Sequence, residues 1–237
     1  QISITTQPVG DTAGALLSTQ PVVKVLDSGN NLVTSATTAI NVTSSGGTLG
    51  GTQTVNAVNG EATFGDLTFA GTSSTNYTLT FTTTSLGSAV SSNLTVGVGA
   101  ATKLVRTTNA SGAVYDTQFT TQPVLEIRDA GNNKVSSATN VVTATLSSGN
   151  VAGTTDTSLT ATAAGGVATF SSLGITGAPG DYTITYSSGS LTTASQSITL
   201  IKANQTITFT DPTDRAWAAS AIEMSPTTTS GLTVTLT

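Results

Sequence analysis

The side chains that could carry chemistry in this sequence are mainly carboxylates. The chain of 237 residues has twelve Asp and Glu, seven Lys and Arg, and neither His nor Cys. Without imidazole and thiol groups, it lacks the commonest general base and the usual ligands of zinc and most transition metals. Two kinds of carboxylate chemistry remain to be weighed, which are paired acids in glycoside hydrolysis and oxygen ligands for calcium.

Glycoside hydrolysis needs two carboxylates about 5–10 Å apart in a cleft shaped for a sugar. Such clefts usually contain aromatic platforms, whereas aromatic residues make up only 5% of this chain and fall mostly at positions typical of a core. The sequence also has no G-x-S-x-G elbow, phosphate-binding loop or dinucleotide-binding fingerprint. We therefore predict that the protein is not an enzyme.

Two of the carboxylates occur in a duplicated stretch of sequence. "TQPVVKVLDSGNN" at 19–31 returns as "TQPVLEIRDAGNN" at 121–133. An Asp followed by a small residue, Gly and Asn is typical of a turn, because the carboxylate accepts backbone N–H groups and Gly and Asn tolerate positive φ. The predicted structural turns consist of Asp27, Gly29 and Asn30 in the first copy and Asp129, Gly131 and Asn132 in the second.

Calcium is the alternative for Asp27 and Asp129. It requires six to eight oxygen ligands, usually with several carboxylates, and the sequence contains no D-x-D-x-D run. One Asp with neighbouring Asn side chains is a poor ligand set. We therefore predict no cofactor and keep calcium at these two residues as the weaker hypothesis.

The duplication extends over most of the chain and indicates repeated domains. "GEATFGDL" at 60–67 returns as "GVATFSSL" at 166–173, and "NYTLTF" at 76–81 returns as "DYTITY" at 181–186. A period of about 100 residues suits a complete small domain. We predict one domain at 1–101, a second at 102–203, and at 204–237 a partial third β domain or a strand-exchange tail.

Short alternating segments within each copy predict an all-β fold. Val23 and Val25 share one strand face, and Leu125 and Ile127 share the matching face in the second copy. About seven such strands per copy, separated by Gly, Asn, Ser and Asp, are typical of an immunoglobulin-like β-sandwich. Tyr77 and Tyr182 each open a strand after a polar turn, so we predict them as tyrosine corners, whose phenol bonds back to the backbone.

These motifs resemble a known family. The Asp-small-Gly-Asn turn, "G-x-A-T-F" and "D-Y-T-I-T-Y" together resemble the tandem bacterial immunoglobulin-like repeats of invasin/intimin-type surface proteins. "QTITF" at 205–209 with "GLTVTL" at 231–236 resembles the start of an MBG-type repeat. The resemblance implies a non-enzymatic structural protein of a prokaryotic cell surface, extracellular, and acting as a stalk, sheath or filament module.

Charge and hydropathy narrow the range of partners. The net charge is −5 and Lys and Arg are few, which excludes a nucleic-acid interface, and no apolar run is long enough for membrane insertion. We predict protein partners, either neighbouring repeats or other copies of the chain, with residues 204–237 packing on the second repeat, on further sequence or on a neighbouring chain. The alternative function is that of an adhesin or carbohydrate-binding segment, for which Tyr115 and Trp217 are the candidate contacts with a ligand or partner.

Overall fold

A computed structural model describes residues 1–147, 150–151, 159–208 and 226–228, and within these residues the protein is all-β, as predicted. We call residues 1–101 module 1 and residues 102–203 module 2. The strands of module 1 are β1 (Ile2–Thr6), β2 (Val22–Val25), β3 (Ala39–Ser44), β4 (Thr48–Gly50), β5 (Thr54–Asn56), β6 (Glu61–Thr63), β7 (Thr68–Ala70), β8 (Leu79–Thr82) and β9 (Ser88–Val90).

The same succession of strands follows in the second half of the chain. Its members are β10 (Ala101–Thr108), β11 (Val124–Asp129), β12 (Val141–Leu146), β13 (Asn150–Val151), β14 (Thr160–Thr162), β15 (Val167–Thr169), β16 (Ile175–Thr176), β17 (Gly180–Ser187) and β18 (Ala194–Leu200). The first strand of module 2, β10, begins at Ala101, the last residue assigned to module 1.

Each half of the chain has the sheets of a sandwich. In module 1 a sheet of order β1-β2-β6 and a sheet of order β5-β3-β8-β9 supply seven antiparallel strands, and β4-β7 form a separate two-stranded ribbon. Module 2 repeats this arrangement with β10-β11-β15, β14-β12-β17-β18 and the ribbon β13-β16. The predicted sandwich class and the number of strands are thus confirmed.

The buried side chains form two clusters, one between Ile2 and Val96 and one between Leu104 and Leu200. Within both clusters aromatic rings join the two main sheets. Phe64, next to β6, meets Phe81 of β8 with ring centroids 5.4 Å apart, and Phe170 meets Tyr186 at 5.7 Å. Because the chain has no disulfide, this apolar packing holds the sheets together.

Residues 204–237 are described only in part. A short strand β19 (Ile207–Thr208), within the predicted strand at 205–209, pairs antiparallel with β20 (Thr227–Thr228). The predicted strand at 231–236 and Trp217 lie outside the described residues. In the part of the chain that is described, no helix has the length and apolar character needed to cross a membrane.

Candidate functional site

The candidate site is the junction between the modules, and strand β11 positions its central residue. The faces of β11 alternate, so Leu125 and Ile127 point into the core of module 2 and Asp129 follows on the same side. Asp129 is fully buried. A strand that carries two aliphatic residues into the core therefore delivers a carboxylate to the end of the sandwich that faces module 1.

The segment from Asp129 to Asn133, which we call the Asp129 turn, folds around this carboxylate. Asn133 donates its backbone N–H to Asp129 Oδ1 over 2.8 Å, and its side-chain Nδ2 lies 3.1 and 3.0 Å from Oδ1 and Oδ2. Asn132 has a φ of 68°. The left-handed residue of the turn is thus the Asn and not Gly131, for which the sequence suggested positive φ.

The Asp129 turn also bonds to the backbone of module 1. Gly99 donates its N–H to Asp129 Oδ2 over 2.7 Å. Asn133 Nδ2 donates to Gly71 O over 3.0 Å, and Ser73 donates its N–H to Asn133 Oδ1 over 2.7 Å. Three hydrogen bonds, one of them to a charged group, therefore join the turn to two separate loops of module 1, which restrains the orientation of one module on the other.

Glycines allow this close approach of two backbones. A β-carbon on Gly131 would lie 2.1 Å from Gly71 O, and one on Gly14 would lie 2.9 Å from the β-carbon of Ala130. Both distances are too short for a side chain. Neither Gly131 nor its counterpart Gly29 adopts positive φ, and at Gly131 the close approach of Gly71 O is what requires a glycine.

The matching segment in module 1, Asp27 to Asn31, is called the Asp27 turn. The Asn31 N–H donates to Asp27 Oδ1 over 2.9 Å, as in the Asp129 turn, and the Gly29 N–H adds a bond to the same oxygen over 2.8 Å. Asn30 has a φ of 66°. All of its residues are exposed. The N–H groups of Asn31, and with them that of Gly29, lower the pKa of the Asp27 carboxyl below its usual 3.8 because they stabilise its charged form.

The turn geometry bears on the calcium hypothesis for Asp27 and Asp129. Both oxygens of Asp129 accept N–H groups, whereas a calcium ion would need oxygen ligands around it. Nowhere in the described ranges do three His, Cys, Asp or Glu side chains gather as a metal site would require. This geometry favours a turn, and the absence of a cofactor stays a prediction.

Of the other predicted residues, Tyr77 lies against the junction loop, between Gly71 and Ser73. The Tyr77 hydroxyl accepts the Thr72 N–H over 2.9 Å, whereas the Tyr182 hydroxyl donates to Ala178 O over 2.6 Å, so both phenols bond to the preceding loop. Tyr115 is 46% exposed, and its backbone N–H bonds to Ile201 O. Trp217 lies outside the described residues.

Sequence reasoning missed the partners of the turn. Asn133 bonds to both Gly71 and Ser73 of module 1 and was not among the predicted residues. The signal was present, because the second Asn of "GNN" is repeated at Asn31. Gly71, Ser73 and Gly99 had no such signal. Their role follows from where they lie in the fold and not from their residue types.

Comparisons with known proteins give structural neighbours but no family. No family model matches the chain, and no curated protein matches it. Among solved structures, the adhesin InvE of Yersinia pseudotuberculosis is 18% identical, with a TM-score of 0.34, over 84% of this chain and 58% of that one. A C-terminal fragment of intimin, in complex with the intimin-binding domain of its translocated receptor, is 15% identical with a TM-score of 0.32, over 88% and 66%.

Glycosidases are also among the neighbours. A β-glycosidase from Bacteroides vulgatus is 11% identical with a TM-score of 0.34, over 84% of this chain. The match covers 24% of the enzyme, so the chain spans about a quarter of that protein's length. Similarities at these identities and TM-scores assign neither a function nor a family.

Proposed function

We propose that the chain is a non-enzymatic structural spacer of a prokaryotic cell surface, in which immunoglobulin-like modules are stacked end to end. The observation that carries this proposal is the Asp129 turn, whose carboxylate and Asn133 amide are bonded to module 1 at Gly71, Ser73 and Gly99. A junction built from backbone groups and a buried carboxylate restrains hinge motion. Restrained junctions are what a stalk, sheath or filament needs.

The surface is compatible with this role. Only 8% of the residues are charged, so copies of the chain lying side by side repel one another weakly. The two ion pairs among the described residues, Lys24–Glu61 and Glu126–Arg128, each lie within one module. The proposed rigidity therefore depends on the hydrogen bonds at the junction.

The rigidity of the junction is tested by measuring whether the two modules rotate in solution together or independently. Backbone ¹⁵N relaxation of the full chain should fit one common diffusion tensor for modules 1 and 2. In the double variant Asp129→Ala with Asn133→Ala, the two modules should fit separate tensors, because the bonds to Gly99, Ser73 and Gly71 are lost. The matched control is Asp27→Ala with Asn31→Ala, which removes the same groups from the exposed turn and should leave the common tensor unchanged.

Independent tumbling of the two modules in the unaltered chain would contradict the spacer proposal. The location is tested separately, by labelling intact cells that produce the protein with a reagent that does not cross membranes. The sheath and filament forms require association, so sedimentation velocity should show larger species as concentration rises. A strictly monomeric chain would restrict the proposal to a stalk.

A second function, recognition of a glycan or protein ligand, is favoured by the exposure of Tyr115. Aromatic rings that are partly exposed provide stacking surfaces for ligands. Tyr115→Ala should abolish binding to any ligand found on a glycan array or by surface capture. Equal binding by the variant would exclude this residue as the contact.

A further inference from the structure

The Asp27 turn reproduces the part of the junction that module 2 contributes. Asp27 and Asn31 are the counterparts of Asp129 and Asn133, after a strand whose side chains alternate into the core. The Asn31 Nδ2 lies 3.3 and 3.2 Å from Asp27 Oδ1 and Oδ2. Gly29 is placed like Gly131. The donors and acceptors that hold module 2 on module 1 are thus present a second time.

The two turns differ in what surrounds them. Asp129 Oδ2 accepts the Gly99 N–H from module 1, and Asn133 bonds to Gly71 and Ser73. Asp27 and Asn31 bond only within their own turn among the described contacts. Their outward-facing carboxylate and amide groups are solvent-exposed.

An apolar pocket of about 620 Å³ adjoins the Asp27 turn, lined in part by Gln1, Val25, Val33 and Leu86. In module 2 the chain itself runs past the corresponding place. Lys103 of module 2 is the counterpart of Gln1. Ala101, two residues before Lys103, pairs with Asp129 and packs on the core of module 2. The pocket therefore matches the course of a linker that leads into the module.

We propose that the Asp27 turn and this pocket bind the end of another immunoglobulin-like module of the module 1 type, together with its linker. The required end has glycine at the position of Gly14, which leaves room for the turn, and the residues Gly71 and Gly99, which supply a carbonyl and an N–H. This inference rests on the proposed function, since it extends the same kind of junction to the other side of module 1.

The corresponding end of module 2 fits less well. By alignment of the repeats, Asp116 replaces Gly14 and Ala203 replaces Gly99. Asp116 has the same left-handed conformation as Gly14, with φ of 55° and 90°. It would therefore place a second carboxylate against the Asp27 turn, where the like charges repel. A module of the module 1 type is therefore the expected partner of the Asp27 turn and its pocket.

The test uses the full chain with an added copy of residues 1–102 placed directly before Gln1. Gly99 of the added copy then lies four residues before Gln1, as Gly99 lies four residues before Lys103 in the existing junction. Amide hydrogen exchange is followed by NMR for the added Gly99 and Ser73. Both amides should exchange about tenfold or more slowly than in unstructured peptides, as expected for N–H groups held in hydrogen bonds.

Asp27→Ala with Asn31→Ala in the original copy of module 1, and not in the added one, should remove this protection and leave the existing junction protected. Unprotected amides in the added copy, or protection that the double variant leaves unchanged, would overturn the inference. Gly99 and Ser73 of the original junction are the internal reference. If they too are unprotected, the spacer function fails, whereas protection there alone defeats only the second docking site.

Discussion

The Asp27 turn and the Asp129 turn have nearly the same sequence and share the hydrogen bonds between their Asp and second Asn, yet one lies in solvent and the other between two modules. Asn30 and Asn132 even share a φ within a few degrees, at 66° and 68°. The comparison shows that a turn of this kind is complete by itself. The contact with module 1 is added to a structure that already exists and does not create it.

The two turns differ in what the second carboxylate oxygen and the Asn side-chain amide bond to. In both copies one carboxylate oxygen accepts the backbone N–H at the end of the turn. The other oxygen of Asp129 accepts the Gly99 N–H. The Asn133 side-chain amide donates to Gly71 O and accepts the Ser73 N–H, both in module 1. Burial of a carboxylate is unfavourable unless such bonds replace water, so the junction and the burial of Asp129 depend on each other.

The largest expected effect is that of Asp129→Ala. The substitution leaves the N–H groups of the buried Gly99 and the half-buried Asn133 without this acceptor, which should cost about 3 kcal/mol of the free energy of unfolding. Urea unfolding of the full chain, followed separately for each module by NMR, measures the loss. Asp27→Ala is the matched control and should cost clearly less, because water reaches that turn. Equal losses would mean that the junction adds nothing.

Gly131→Ala should have the next largest effect. Its β-carbon would lie 2.1 Å from Gly71 O, so the backbones must move apart, at a cost of about 2 kcal/mol for overpacking. The added methyl on Gly29 meets only Asn31 Nδ2 and Asp27 Oδ1, at 3.0 and 3.3 Å. Hydrogen exchange at Ser73 should accelerate in Gly131→Ala and stay as it is in Gly29→Ala. An unchanged rate in both would contradict the close packing.

Asn133→Ala removes the acceptor of Ser73 and the donor to Gly71 but leaves the backbone N–H to Asp129. We expect a loss of about 1–2 kcal/mol, as for hydrogen bonds that water replaces in part. Asn31→Ala removes only the side-chain bonds to Asp27 within its own turn. Thermal unfolding of both variants provides the comparison, and a loss in Asn31→Ala as large as in Asn133→Ala would show that only the internal bonds matter.

The smallest expected effect is a pH dependence of module 1. Hydrogen bonds lower the pKa of Asp27, chiefly from the Asn31 backbone, and that of Asp66, chiefly from the Thr52 backbone, below the ordinary value of 3.8. A lowered pKa stabilises the fold above 3.8, and this stabilisation is lost as the pH falls through the lowered value. Below pH 3.8, the urea concentration at the midpoint of unfolding should therefore fall more steeply with decreasing pH for the unaltered chain than for the double variant Asp27→Asn with Asp66→Asn. Parallel pH profiles would contradict this assignment.

Much of the fold could be predicted because a sequence of about 100 residues occurs in two similar copies. Alternation placed Val23, Val25, Leu125 and Ile127 in the cores, where all four are buried. The repeated "TQP" also marks a contact that recurs in both modules. In the structure Gln20 pairs with the backbone of Leu67 through both ends of its amide, and Gln122 does the same with Leu173.

The site was predictable only in part, for a physical reason. The turn is local, so Asp, Gly and Asn report it directly in the sequence. Its partners Gly71 and Ser73 lie about 60 residues from Asn133, and Gly99 lies 30 residues from Asp129. They contribute backbone groups, which every residue type except proline possesses, and therefore leave no mark in the sequence.

The glycine opposite Ala130 has one more consequence, which concerns how such a chain can lengthen. Gly14 tolerates a neighbouring turn, whereas Tyr115 and Asp116 occupy the matching end of module 2 with a bulky ring and a charge. In the proposed docking, duplication of the first repeat gives ends that fit one another, whereas an exchange of the two repeats brings Asp116 against the Asp27 turn. We therefore expect an array of these units to have a direction.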